Sequence, residues 1–272
     1  MSARLPIFHL ASHARAGETL FLKLLNSHSR VCVPVQVEQE ESEIDKAFIA
    51  EVRDTGIRDI SIDHPYAQSK PLASNSVILI KQGIWLHKVP FNGITLVRNP
   101  LSFVDSMMTY NTIEGFGGGW RKYGRKRYAK TFNRLLRWSE NMSDELYNQI
   151  DSKNSVIDAL CCFYNSRVTT LKDYQKEIFR YEDIVNNPAR ELNRACLILD
   201  IDFENGMLNA HQNYSETDKG HGMNNLARDI DTASLNKWRQ GDKRVFQKVK
   251  RATIDTAKSV GYSYNEPYLV GV

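Results

Sequence analysis

Short apolar runs alternate along this chain with stretches of helical period. LPIFHL predicts a first strand over Leu5 to Leu10, and the residues after Gly17 predict an amphipathic helix with Leu20, Leu24 and Leu25 on one face. Val31 to Val37 is β-branched and reads as a second strand or extended segment. EQEESEIDKAFIAEV begins acidic and becomes helical in period, and the polar stretch from Asp63 to Asn75 contains two prolines and reads as loop. SVILIK (76–81) and GITLVRNP (93–100) are short, apolar and bounded by Gly, Pro or Asn, as buried parallel strands are. Pro100 then opens a helix at its first turn, where a missing N–H does no harm.

Residues of about 111–130 differ in kind. NTIEGFGGGWRKYGRKRYAK holds five glycines, six Lys/Arg and four aromatics, and reads as a flexible basic loop inserted between regular elements. Helices are predicted at about 131–149 and 154–175, and EIFRYEDIVNNPARELNRACLIL reads as strand, turn, helix. The tail after Ser234 reads as two helical segments ending at Gly261. With no internal repeat, strands alternating with helices predict one α/β domain over 1–272, its central sheet mostly parallel and flanked by helices.

Composition narrows the chemistry. Lys plus Arg number 36 against 32 Asp plus Glu, a positive balance too small to argue for nucleic acid but suited to a small polyanionic ligand. No apolar run approaches the roughly 18 residues of a bilayer span, and the first strand leaves no room for a signal peptide. Cys32, Cys161, Cys162 and Cys196 lack C-x-x-C spacing and read as buried thiols of a reducing cytosol. A cytoplasmic protein without a membrane partner is expected.

Strand, glycine turn, helix is a phosphate-holding arrangement, because the first helical N–H groups point outward and the helix dipole favours an anion there. Residues 11–19 lack the three glycines of a dinucleotide loop. Gly17 is followed by Glu18 and Thr19, not by the Lys of a Walker A loop. What remains is Arg15 as a charged fork, Gly17 for close backbone approach, and Thr19 as a hydroxyl beside the helix N–H groups.

In this form ARAGETLFLKLLNSHSRV resembles the 5′-phosphosulfate loop of the sulfotransferases, [KR]-[ST]-G-[ST]-T with a histidine-containing turn after it. Three more segments agree in the family's order. LVRNPLSFVDSMM resembles the 3′-phosphate site through Arg98, Pro100 and Ser106; FRYEDIVNNP resembles [YF]-E-D-L-x-x-[ND]-P; and HGMNNLARDIDTASLNKWR resembles the H-x-x-x-N-x-x-R … W stretch. The resemblance covers nearly the whole chain and implies a P-loop-like sulfotransferase architecture. It implies transfer of a sulfuryl group from 3′-phosphoadenosine 5′-phosphosulfate (PAPS), without a metal, to a small acceptor. Arg15, Ala16, Gly17, Glu18, Thr19 and Leu20 would hold the 5′ end, Arg98, Ser106 and Arg228 the 3′-phosphate, and Tyr181 the adenine. Glu18 and Ala16 depart from the pattern, each standing where a hydroxyl residue is usual.

Catalysis needs a charge to stabilise the leaving phosphate and a base for the acceptor. The resemblance assigns the first role to Arg15 and to Lys81, at the end of VILIK. The histidine of a K-T-H segment is absent, since Gln82 and Gly83 follow Lys81. Glycan and tyrosyl-protein members carry a glutamate just beyond the histidine turn; here Gln36 stands at that point, and Glu38 is the chosen base. Glu40, His13, His87 and Glu18 remain alternatives.

The acceptor is expected to be a specialised natural product such as an alkaloid, sulfated on a hydroxyl or a nitrogen, and a homodimer is left open. Two competing readings stay on the table: a P-loop-like kinase for a small molecule, and a non-catalytic nucleotide or nucleic-acid binding module acting through GFGGGWRKYGRKRY.

Overall fold

The computed structural model describes residues 2–34, 42–82, 92–111, 128–174, 177–220, 224–263 and 270–271. The elements begin with β1 (Arg4–Ser12), α1 (Glu18–Asn26), β2 (Val31–Cys32), α2 (Glu43–Thr55), β3 (Asp59–Ser61), α3 (Pro65–Gln68), β4 (Val77–Gln82), β5 (Gly93–Val97) and α4 (Pro100–Asn111). They continue with α5 (Ala129–Glu140), α6 (Asp144–Asp151), α7 (Val156–Tyr174), β6 (Ile178–Arg180), α8 (Tyr181–Asn186) and α9 (Pro188–Leu199). Short strands β7 (Lys219–Gly220) and β8 (Asn224–Asn225) precede α10 (Lys243–Ser259), β9 (Tyr262–Ser263) and β10 (Val270–Gly271). The class is α/β, a mostly parallel sheet flanked by helices. The chain groups into two compact units, each assembled from three stretches: Met1–Ala11, Gly17–Leu96 and Asp183–Asp231 in the first, Ser12–Ala16, Val97–Glu182 and Thr232–Val272 in the second.

In the first unit the strands lie in the order β2-β4-β1-β5. β4 runs parallel to both β1 and β2, with Leu10 opposite Lys81 and Val31 opposite Val77. The carboxyl ends of β1 and β4 therefore emerge together, the edge at which open α/β sheets bind ligands. β3 pairs antiparallel with the start of β1, Leu5 opposite Ile60. One face of this sheet is closed by Phe48 and Val52 of α2 with Tyr66 and Ala67 of α3, packed on Leu5, Ile7, Ile78 and Ile80. Gly93 opens β5 at φ 154, and a Cβ there would lie 2.0 Å from the carbonyl oxygen of His9. Only glycine lets the two backbones come so close.

The second unit is helical around α7, which packs against α4, α5, α6 and α10. Phe103 of α4 stacks on Phe163 of α7 with ring centroids 6.5 Å apart, and Trp138 of α5 meets Phe163 at 5.6 Å. Trp238 is buried, donates Nε1–H to the Leu235 carbonyl at 3.0 Å and meets Phe246 edge-on.

Several elements depart from the expected pattern. Helix α1 buries Phe21, Leu22, Lys23, Leu24 and Leu25 in succession, so it is covered all round and Leu20 is only half-buried. Strand β2 covers Val31–Cys32, after which the Val33 backbone N–H donates to the Asn26 side chain at 3.1 Å; residues 35–37 of the expected strand or extended segment lie outside the described residues. The 63–75 stretch holds α3, with Pro65 in its first turn and His64 accepting from the Tyr66 N–H. The helix expected over 131–149 is two, because the Ser143 hydroxyl caps a new start at α6 by accepting from Leu146 N–H at 3.1 Å. In the tail, two 3₁₀ turns at Thr232–Leu235 and Lys237–Gln240 precede the single long helix α10, which Asp242 caps.

Candidate functional site

The turn that leaves β1 carries the first group of candidates. Arg15 has φ 63 and Gly17 φ 101, left-handed conformations that turn the chain sharply between strand and helix. An arginine is there at a backbone cost of order 1–3 kcal/mol. That cost is offset by how firmly Ser12–Ala16 is held within the second unit, to which it belongs. Arg167 of α7, fully buried, donates Nε–H to the Ser12 carbonyl at 3.1 Å. His13 is buried with its ring 5.2 Å from both Phe103 and Tyr164. Its Nε2 accepts from the Arg98 backbone N–H at 2.9 Å, so Nδ1 carries the proton and donates to the Ala14 carbonyl at 2.9 Å.

Around this pin four candidates come together. Arg15 donates Nε–H to the Ser106 hydroxyl at 2.9 Å, and Arg98 donates from Nη1 to the Arg15 carbonyl at 3.3 Å. The Arg98 guanidinium lies over the Tyr181 ring, 4.3 Å from its centroid, a cation–π contact. Tyr164 donates its hydroxyl to the Arg98 carbonyl at 3.0 Å. Glu182 fastens the next residue, accepting from Asn99 N–H at 3.1 Å and from the Tyr262 hydroxyl at 2.7 Å. Burial raises the Glu182 carboxyl pKa, opposed by the Tyr262 hydrogen bond and by the charge of Arg98. Burial likewise raises the Asp105 carboxyl pKa, against the pull of Arg98 and Lys237. The result is two arginine forks and a hydroxyl collected around one point of the second unit, a donor set that suits a phosphate dianion.

The second group lies in the first unit. Gly17 precedes α1 with no side-chain cap, and Glu18 is the acidic residue of the first turn. Glu18 and Lys81 form an ion pair, Oε2 to Nζ 2.9 Å, with side chains only 15% and 11% exposed. Thr19 is half-buried, and Ala16, just before this group and in the second unit, is fully buried. Lower in the same helix, buried Lys23 donates to the carbonyls of Leu226 and Arg228 at 3.1 and 2.8 Å, tying that segment to α1. Burial lowers the Lys23 ammonium pKa, and Asp229 opposes the shift. The Arg228 guanidinium, about half exposed, pairs with Asp231.

No protein-family model matches this chain, and no curated protein sequence matches it. Solved structures do. The sulfotransferase domain from the curacin biosynthetic pathway is 16% identical and aligns over 91% of this chain and 96% of its own, with a TM-score of 0.51. The sulfotransferase domain of the Synechococcus PCC 7002 olefin synthase is 18% identical over 95% of this chain and 94% of its own, also at 0.51. Mouse sulfotransferase SULT7A1, in a structure complexed with PAP, is 11% identical over 95% and 86%, at 0.50. The chain has the sulfotransferase fold.

On this sulfotransferase fold the residues read from the sequence separate into described and undescribed sets. Glu38, Glu40, Gln36, His87 and Gly83 lie outside the described residues, as does nearly all of the basic 111–130 segment. His13, an alternative base, has both ring nitrogens engaged with backbone and works as a turn pin. Three contributors went unread: Arg167, Tyr262 as the partner of Glu182, and Lys23. Arg167 did carry a signal, being the one arginine of α7, beside the apolar run that ends at Tyr164. Cys161 and Cys196 are buried as expected, while Cys32 and Cys162 are half-buried, and all four are free thiols. Among the described residues no helix is long and apolar enough to cross a membrane.

Proposed function

We propose that this protein is a PAPS-dependent sulfotransferase acting on a small acceptor. The observation that carries the reading is the cluster of Arg15, Arg98 and Ser106 with Tyr181 beneath Arg98, occurring on a sulfotransferase fold. Arg98 and Ser106 take the 3′-phosphate, and Arg228 adds a second fork once it leaves Asp231. The backbone of Ala16, Gly17, Glu18, Thr19 and Leu20 takes the 5′-phosphosulfate. The other face of Tyr181 is the stacking surface for adenine.

In this mechanism the acceptor oxygen or nitrogen attacks sulfur in line, forming its bond as the bond from sulfur to the bridging oxygen breaks. The electron pair of that bond leaves on the 5′-phosphate of PAP, where Arg15 and Lys81 stabilise the added charge. The acceptor proton goes to Glu38. An alkaloid or similar natural product is the proposed acceptor, and its sulfation would take place in the cytoplasm.

The test is calorimetric titration of wild type and Arg98→Ala with PAP, ATP and ADP, in the presence and absence of magnesium. Micromolar PAP affinity without magnesium, weakened on the order of a hundredfold in Arg98→Ala, is expected for a charged hydrogen-bonded fork. Equal affinity for PAP and ADP would remove the 3′-phosphate assignment and favour the kinase reading.

A further inference from the structure

The Glu18–Lys81 pair joins a residue that departs from the sulfotransferase pattern to one proposed to act on the leaving group. The geometry is specific. Lys81 ends β4 opposite Leu10 of β1, and Glu18 is the first residue of the helix that follows β1. The two meet at 2.9 Å with both side chains largely out of water. A carboxylate at the first position of a helix already satisfies the positive end of the dipole. A phosphosulfate group seeks that same helix end and that same ammonium.

We propose that Glu18 is a resident counter-anion for Lys81 that the donor must displace. The inference rests on the PAPS reading above. Two anions at one helix end repel, so the lysine cannot serve both equally and moves to the more highly charged one. Glu18 thereby subtracts the energy of its ion pair from the donor's contact with Lys81. It sets donor affinity low and makes delivery of Lys81 to the bridging oxygen conditional on a bound donor. Glu18 is a positioning residue in this scheme; the group that touches the donor is Lys81.

Exchange leaves a thermodynamic signature that a purely structural ion pair does not. Lys81→Met costs the donor contact less the pair energy when Glu18 is present, and costs the whole contact when Glu18 is absent. PAP affinity is therefore measured by calorimetry in wild type, Glu18→Gln, Lys81→Met and the double variant, a complete double-mutant cycle. Glu18→Gln is expected to tighten PAP about tenfold. Lys81→Met is expected to weaken PAP about threefold in the wild-type background and about thirtyfold in the Glu18→Gln background. Glu18→Ser and Lys81→Gln repeat the cycle should either variant fail to fold. Equal losses from Lys81→Met in the two backgrounds would mean that the pair persists with the nucleotide bound, and exchange is overturned. An unchanged affinity in Glu18→Gln overturns it as well. PAP binding to no variant, wild type included, removes the donor assignment itself, a different failure.

Discussion

Glu182 offers the sharpest test of how the Arg98 turn is held. Its carboxylate joins the backbone N–H of Asn99 to the hydroxyl of Tyr262, and both of those partners are buried, at 3% and 2% exposed. Glu182→Ala strands two buried polar groups, each costing about 1–3 kcal/mol. Glu182 is itself only half-buried, so water reaches part of the gap, and the expected loss is about 2–4 kcal/mol of unfolding free energy. Glu182→Gln keeps both links: its oxygen accepts from Asn99, and its amide donates to the Tyr262 oxygen. A loss of about 1 kcal/mol at pH 5 is expected, because the amide makes weaker hydrogen bonds to these partners than the carboxyl it replaces. The two variants also differ in pH dependence. Burial raises the Glu182 pKa in the folded protein, so its contribution is fully present below the ordinary glutamate pKa and is lost as pH rises through the folded value. Glutamine has no such loss, and the deficit of Glu182→Gln against wild type shrinks from pH 5 to pH 8. Urea unfolding at those two pH values reads every term, and PAP titration reports whether Arg98 stays in place. Equal stability of the Ala and Gln variants would refute the brace.

Three further outcomes follow from the same geometry. Burial pushes the His9 imidazole pKa down to about 4 from 6.5, so the stability due to its neutral form is full above pH 6.5 and is lost as pH falls toward 4. About 3 kcal/mol is at stake in all, and His9→Gln should flatten about 2 kcal/mol of the acid limb in urea unfolding between pH 7 and 4.5, whereas an unaltered limb would assign it elsewhere. Ser106→Ala removes the hydroxyl that accepts from Arg15 and should weaken PAP binding about fivefold without moving the urea midpoint; an unchanged affinity would take Ser106 out of the 3′-phosphate site. Gly93→Ala forces a methyl group to within 2.0 Å of the His9 carbonyl at an unfavourable φ, and more than about 3 kcal/mol of destabilisation, or insoluble protein, is expected; a wild-type urea midpoint would contradict the close approach.

The sequence by itself determined the skeleton of this protein. β1, β4 and β5 are short, mostly apolar runs bounded by turn residues, as buried strands are, and the turn at Gly17 demands a residue free to take positive φ. Arg98, Pro100 and Ser106 could be placed at a strand end and two turns down the next helix from local rules alone. Those rules also misjudged the places where a single side chain intervenes. His64 capped a short helix in a stretch that reads as loop, and Ser143 divided one periodic segment into two helices.

What tertiary structure alone decided was the working geometry. The sequence could not say that Arg167, some 150 positions from Ser12, would hold the turn after β1, because a hydrogen bond to a distant carbonyl leaves no periodicity. Nor could it separate His13 as a base from His13 as a pin. That choice rests on which atoms face its two nitrogens, and only the folded chain brings Arg98 N–H and the Ala14 carbonyl to them. Glu18 looked like an anomaly in an anion-binding loop. The folded chain gave it Lys81, because the parallel pairing of β1 and β4 delivers both residues to the same sheet edge. Local chemistry selects which residues can bind an anion, and strand register selects which of them meet.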